Sequence, residues 1–247
     1  MLMRLFRVAN DENLIIYSYS KDLIRSALLH FGKTHRRDPQ VVTDFLTVLE
    51  DPSEGGKILQ LMHRLGVLCR MIPEFARVTA RWQHSLYHVY TVDVHSLFVV
   101  AEMKRLRNGD FVEALPGLTR RFMELPRPSV VYLAALLHDI GKGREEDHSI
   151  IGAQLVRKIA PRLGLKQEEV ETAEWLVRYH LLMSDMAQKR DIADPRTVRD
   201  FAKAVQTVKR LDLLCVLTVC DIRGVGPTTW NNWKAVLIRA LYRQTRR

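Results

Sequence analysis

Thiol chemistry has little to work with in this sequence. Three cysteines, Cys69, Cys215 and Cys220, occur in 247 residues, and none forms a CxxC pair. An odd number without motif spacing cannot complete a disulfide framework, so a reducing compartment, the cytoplasm, is expected. Apolar runs such as Val130–Leu137 and Leu211–Val219 stop well short of the roughly 18 residues a membrane span needs, and no signal-peptide pattern opens the chain. Membrane association is therefore not expected. Strand-type alternation is nearly absent, with Leu14–Tyr17 the one short exception, which leaves an all-α fold. GxxxxGK, GxGxxG and even a Gly-Ser dipeptide are missing; these absences disfavour a P-loop NTPase, a Rossmann enzyme and a nucleotidyltransferase head.

What is present is charge and helical periodicity. Lys plus Arg outnumber Asp plus Glu by 38 to 28, a net charge of +10, which biases the surface toward anions. The excess is spread along the chain apart from the basic tail Arg243–Arg247, and no RRM, KH or zinc-knuckle pattern accompanies it, so a nucleic-acid groove is disfavoured. Proline and glycine breakers divide the chain into roughly ten helices. Residues 1–57 read as a helical lead-in and 58–247 as one continuous helical unit. Ser129 is expected to cap the helix over Val130–Leu137, and Asp147 or Ser149 the helix that follows. Gly141 and Gly164 suit helix ends.

The chemistry concentrates in Ala134–Gly143, where His138 and Asp139 end an otherwise apolar helix. Two polar side chains buried there are costly unless paired or ligated. Neighbours on a helix diverge by roughly 100°, but at a terminus relaxed by Gly141 an imidazole and a carboxylate can reach one cation. Asp221 closes a second apolar run, Leu211–Asp221, where an ionised carboxylate calls for a metal or an arginine. His95 lies on an amphipathic helix from Thr91 to about Arg105, while His148 and His180 fall at helix termini. Any one of these histidines alone reads more simply as a packed core residue; the adjacent His138–Asp139 pair shifts the balance toward a shared metal. Nitrogen and oxygen donors without thiolates suit Mn²⁺ or Mg²⁺, with Fe²⁺ or Zn²⁺ as alternatives. His30, His35, His63, His84 and His88 lack such a context and are read as surface or packing residues. Trp230 and Trp233 are read as packing rather than base-stacking residues.

The order His95, His138–Asp139, His148, His180, Asp221 resembles the HD-domain phosphohydrolase superfamily, a helical group that uses these positions around one or two divalent metals. A closer similarity is to the bifunctional protein-PII uridylyltransferase/uridylyl-removing family. It is carried by Tyr90-Thr-Val-Asp-Val-His95-Ser-Leu, by His138-Asp-Ile-Gly-Lys-Gly-Arg-Glu-Glu-Asp-His148-Ser, and by Trp175-Leu-Val-Arg-Tyr-His180. It continues through Gln188-Lys-Arg-Asp191, Leu217-Thr-Val-Cys-Asp221 and Gly226-Pro-Thr-Thr-Trp230-Asn-Asn-Trp233-Lys. The similarity covers roughly 65–245, and the sequence shows neither a nucleotidyltransferase motif nor room for paired ACT domains.

The resemblance implies hydrolysis of uridylylated PII protein to PII and UMP, with no uridylyl transfer. It implies metal ligation by His95, His138, Asp139, His148, His180 and Asp221, with Asp139 shared between two ions, and catalytic roles for Asp139, Lys142 and His148. Arg178, Arg190 and Asp191 stand near family-like motifs as candidate substrate contacts, although Arg190 and Asp191 could equally form a structural ion pair. The alternatives are an HD phosphodiesterase acting on a free nucleotide or cyclic dinucleotide, and a non-catalytic module that docks PII or nucleic acid.

Overall fold

A computed structural model describes residues 2–52, 56–82, 89–125 and 127–246. Every regular element among them is helical: fourteen α-helices and three short 3₁₀ turns, confirming the all-α reading while exceeding the roughly ten helices counted from breakers. Leu14–Tyr17, the strand-like exception, is an irregular connection; four residues with no partner strand cannot satisfy their backbone as a sheet. His84 and His88 lie outside the described residues. No helix among the described residues is long and apolar enough to cross a membrane.

The centre of the molecule is α8 (Ser129–Leu137), all nine of whose residues are buried. A helix apolar on every side needs neighbours on every side. They are α6 (Val92–Asn108), α10 (Gln167–Arg178), α13 (Val208–Val225) and, from the N-terminal part, α3 (Pro39–Glu50). In turn, α9 (His148–Ile159) packs on α10, α1 (Leu2–Asp11) on α3, and α6 along α13. One apolar core runs from Met3 to Leu241.

Two close approaches set the packing. At Gly224 a Cβ would lie 2.8 Å from Val99 Cγ2 and 3.1 Å from the Val99 nitrogen, so only glycine lets α13 cross α6 this tightly. Lys104, fully buried on α6, donates from Nζ to the Val48 carbonyl at 2.7 Å. Val48 is in the last turn of α3, where carbonyls lack helical partners and a cation is favourable. Burial lowers the Lys104 pKa to about 8 in spite of nearby Asp51.

Asp147 caps α9, accepting from the Ser149 and Ile150 nitrogens at 2.8 and 3.2 Å, as its position suggested. Ser129 does not cap α8: the helix begins at Ser129 itself after Pro128, and the Ser129 hydroxyl is buried without a hydrogen bond among the described residues. The fixed φ of Pro128 starts that helix without a side-chain cap. Gly164 ends a 3₁₀ turn in the left-handed region, φ +73°. Gly141 serves a different purpose, described below.

Candidate metal centre

His138 and Asp139 follow α8 directly, at the turn where the chain leaves the core. Four further side chains gather on this corner from four other places in the chain. His95 comes from the first turn of α6, Asp221 from α13, His148 from the first position of α9, and His180 from the turn after α10. Lys142 reaches back from the same turn, its Nζ 2.7 Å from Asp139 Oδ2. Asp221 sits one turn inside α13 rather than at its end, because the helix continues to Val225.

Asp139 is central. Its Oδ2 is 3.3 Å from His138 Nε2 and 4.0 Å from His95 Nε2; its Oδ1 is 3.7 Å from both His148 Nε2 and His180 Nε2. Asp221 Oδ1 closes the first side, 2.9 Å from His95 Nε2 and 3.5 Å from His138 Nε2. Two groups result, His95–His138–Asp139 and Asp139–His148–His180, each with donor atoms within 4.8 Å of one another.

The imidazoles are oriented by the backbone. The Nδ1 atoms of His138, His180 and His95 lie 2.7, 2.7 and 3.2 Å from the carbonyls of Ala135, Val177 and Gly224. Donating there fixes each proton on Nδ1 and turns the Nε2 lone pair inward, the tautomer a metal ligand requires. Nε2 of His95 and of His138 then face each other at 3.2 Å, an arrangement of two lone pairs that needs a proton or a cation between them.

The electrostatics give the same answer. Burial pushes the His138 pKa down, but Asp139 and Asp221 outweigh it and hold it at about 10. Burial also works against ionisation of Asp139, yet His138, Lys142 and His180 keep it well below the usual carboxylate range, and His138 and His95 do the same for Asp221. Burial and the charge of His138 lower His180 to about 4, and burial lowers His148. The buried Asp139 and the partly buried Asp221 thus favour a proton on His138 in the position a cation would take. The donor set fits a divalent metal: neutral nitrogen and anionic oxygen, compensating charge already arranged, no thiolate.

Gly141 makes this corner possible. A Cβ there would lie 2.0 Å from the His148 carbonyl oxygen and 2.8 Å from the Gly152 nitrogen, so the turn after His138–Asp139 rests directly on the start of α9 and brings His148 within reach of Asp139. A helix-ending role for Gly141 is thereby corrected to one of close approach. At the entrance to α6, His63 Nε2 is 2.7 Å from Asp93 Oδ2; burial raises the Asp93 pKa, but His63 and Thr91 hold it at about 2. The sequence alone reads His63 as a surface or packing residue, since its partner is 30 positions away.

The matches to known proteins agree with this geometry. The HD domain family matches residues 93–217. The chain belongs to the HD domain family. HD domains bind divalent metals, and the two His/Asp groups here could hold one. The HD-family region also aligns within three relatives named bifunctional uridylyltransferase/uridylyl-removing enzyme. Those of Ruegeria pomeroyi and Cereibacter sphaeroides are each 52% identical, over 246 and 244 residues, and that of Azospirillum brasilense is 45% identical over 244. These alignments take in 100%, 99% and 99% of this chain and 27%, 26% and 26% of the relatives. The chain spans about a quarter of the length of the curated relatives it matches.

The remaining sequence candidates fall outside the corner. Arg178 ends α10 exposed, its charge felt by Asp147. Arg190 and Asp191 are exposed and do not pair with each other among the described residues; Asp191 accepts instead from the Ala193 nitrogen at 2.9 Å. The sequence reading missed three arginines on the outside of the HD turn. The Arg81 guanidinium lies over Gly143, where a Cβ would come within 2.3 Å of its Cζ, and Arg144 donates to the Ile140 carbonyl at 3.0 Å. Arg77 stands close enough for its charge, together with burial, to lower the Arg144 pKa. Only Arg144 falls in a recognisable motif; Arg77 and Arg81 come from a stretch with no signal of its own.

Proposed function

We propose that this chain is a metal-dependent phosphodiester hydrolase that removes UMP from uridylylated PII. The observation that carries the proposal is the position of Asp139, with one carboxylate oxygen toward His95 and His138 and the other toward His148 and His180. In this reading Asp139 would contribute to both metal sites, with His95, His138 and Asp221 holding one ion and His148 and His180 the other. Mn²⁺ or Mg²⁺ suits the donors best, with Fe²⁺ or Zn²⁺ as alternatives. Divalent cations held there would lower the pKa of a bound water and offset charge on the non-bridging phosphate oxygens.

The chain's own groups do the rest. Lys142 holds Asp139 ionised and in place and adds a point positive charge beside the phosphate. His148 and Lys142, 27% and 23% exposed, mark the open side of the corner, whereas His138 and His180 are 1% exposed. Substrate therefore enters from the Lys142–His148 side, past the positive lip of Arg77, Arg81 and Arg144. Water adds to phosphorus, the bond from phosphorus to the tyrosyl oxygen breaks, and that oxygen takes up a proton; the products are UMP and unmodified PII. Residues 58–247 form the hydrolase unit, and 1–57 a helical lead-in that braces it through α3. The setting is the cytoplasm.

The test is UMP release from uridylylated PII by manganese-supplemented protein, with cleavage of bis(p-nitrophenyl) phosphate as a simpler readout. Alanine at His138 or Asp139 should abolish both. Full activity in either variant would refute the assignment, and faster turnover of a free or cyclic nucleotide than of uridylylated PII would move the substrate class.

A further inference from the structure

A cavity of about 700 Å³ lies away from the His138–Asp139 corner, between α7 (Pro116–Met123), α13 and α14 (Asn232–Arg246). That volume is in the range of small-molecule sites, roughly 300–1,000 Å³. Its floor is apolar, made by Leu115, Leu118, Val219 and Ile238, while Arg121, Arg239, Arg243 and Arg246 stand around it. Glu113 is the one acidic residue among the described residues of its lining.

The arginines are short of counter-charge. Arg121 and Arg246 both use one oxygen of Asp212, at 3.1 and 3.2 Å, and the Tyr242 hydroxyl donates to that oxygen as well. Arg239 reaches only the Ala114 carbonyl, at 3.4 Å, and Arg243 makes no ion pair among the described residues. Arg239 and Arg243 are four apart on one helix, where like charges oppose each other. Favourable placement in the last turn of a helix accounts for Arg121 on α7 and for Arg243 and Arg246 on α14, and Arg121 also lies 5.1 Å over the Tyr242 ring, but Arg239 has no such support. Burial pushes the Cys215 thiol in the wall up to about 12, so it stays protonated and is no nucleophile.

We propose that this cavity is a binding site for an amphipathic organic anion, an apolar or aromatic body carrying a phosphate, sulfonate or carboxylate. The body seats on Leu118, Val219 and Ile238, and the oxyanion is held by Arg239 and Arg243, with Arg121 and Arg246 behind them. The ligand then rests on Val219, two residues before Asp221 on the same helix, at a ligand site separate from the metal corner.

The test uses the intact chain and the fluorescent aryl sulfonate 1-anilinonaphthalene-8-sulfonate. One saturable site is expected, with the uncharged analogue N-phenyl-1-naphthylamine bound about tenfold or more weakly, since the charge-assisted hydrogen bonds are lost. The double variant Arg239→Glu/Arg243→Glu, altered only at exposed positions, should weaken sulfonate binding by about tenfold or more without changing metal content. Ala235→Trp, which fills the cavity from its wall, should remove binding of both probes. Near-UV circular dichroism checks that each variant is folded. Equal affinity for the charged and uncharged probes would overturn the proposal in favour of a purely apolar docking face. So would sulfonate binding that survives both the charge reversal and the filled cavity.

Discussion

Replacing Gly141 by alanine tests whether the contact between the HD turn and α9 builds the site. The new methyl would sit 2.0 Å from the His148 carbonyl oxygen and 2.8 Å from both the His148 carbonyl carbon and the Gly152 nitrogen. These are backbone atoms, so no rotamer change relieves the clash. Ordinary contact begins at 3.4 Å; the start of α9 must therefore retreat by 3.4 − 2.0, or about 1.4 Å. That carries His148, now 3.7 Å from Asp139, out of reach of a shared ion. Overpacking of this kind costs about 1–3 kcal/mol of stability, and a displacement of about 1 Å at a reacting centre costs about 100-fold in rate. The assay is manganese-supported hydrolysis of bis(p-nitrophenyl) phosphate alongside thermal denaturation. Gly143→Ala is the control: its φ of +84° brings strain and its methyl meets the Arg81 side chain, but no backbone of α9. It should lose about 1–2 kcal/mol and retain most of the turnover. A Gly141→Ala protein with wild-type kcat and an unshifted melting temperature would refute the reasoning.

Three other outcomes follow from the structure. Lys104→Met should remove a pH dependence of stability: the folded pKa of about 8 lies below the unfolded value, so the unfolded state binds more protons between about pH 8 and 10.5. Wild-type stability then rises with pH across that window by on the order of 3 kcal/mol from this group, and urea titrations of the variant should show that increment missing. Arg81→Ala should raise KM for an anionic diester by about three- to tenfold and weaken its salt dependence while leaving kcat nearly unchanged, if the lip steers substrate; kinetics at two ionic strengths decide it. His95→Ala and His180→Ala should each lose one bound ion rather than both, measured as metal per chain, because they belong to different groups around Asp139.

How much of this was legible beforehand varies from residue to residue. The all-α class followed from periodicity, and α8 announced itself as buried because nothing in Val130–Leu137 is polar except the Tyr132 hydroxyl. His138, Asp139 and Asp221 were visible as polar side chains ending apolar runs, whereas His95, His148 and His180 stood out only through the adjacent His138–Asp139 pair and the family resemblance; the structure brings all six to one corner. The sequence could not show what holds them there. Gly224 supplies the carbonyl for His95 and the close crossing with α6, and Gly141 supplies the contact with α9; neither role has a local signature, since both depend on which distant backbone arrives. The Ser129 cap was a local rule overridden by the neighbouring Pro128. Arg77, Arg81 and the arginines around the α14 cavity looked like an ordinary basic surface, because linear charge counts carry no information about which guanidiniums share one carboxylate.

The most direct test of the central claim is manganese content after equilibration with the metal and removal of the unbound fraction. With Asp139 serving two ligand groups, the wild-type chain should retain two ions, and Asp139→Ala, folded by near-UV circular dichroism, should retain neither firmly. A wild-type chain that retains none, or an Asp139→Ala protein that retains as many as the wild type, would contradict it.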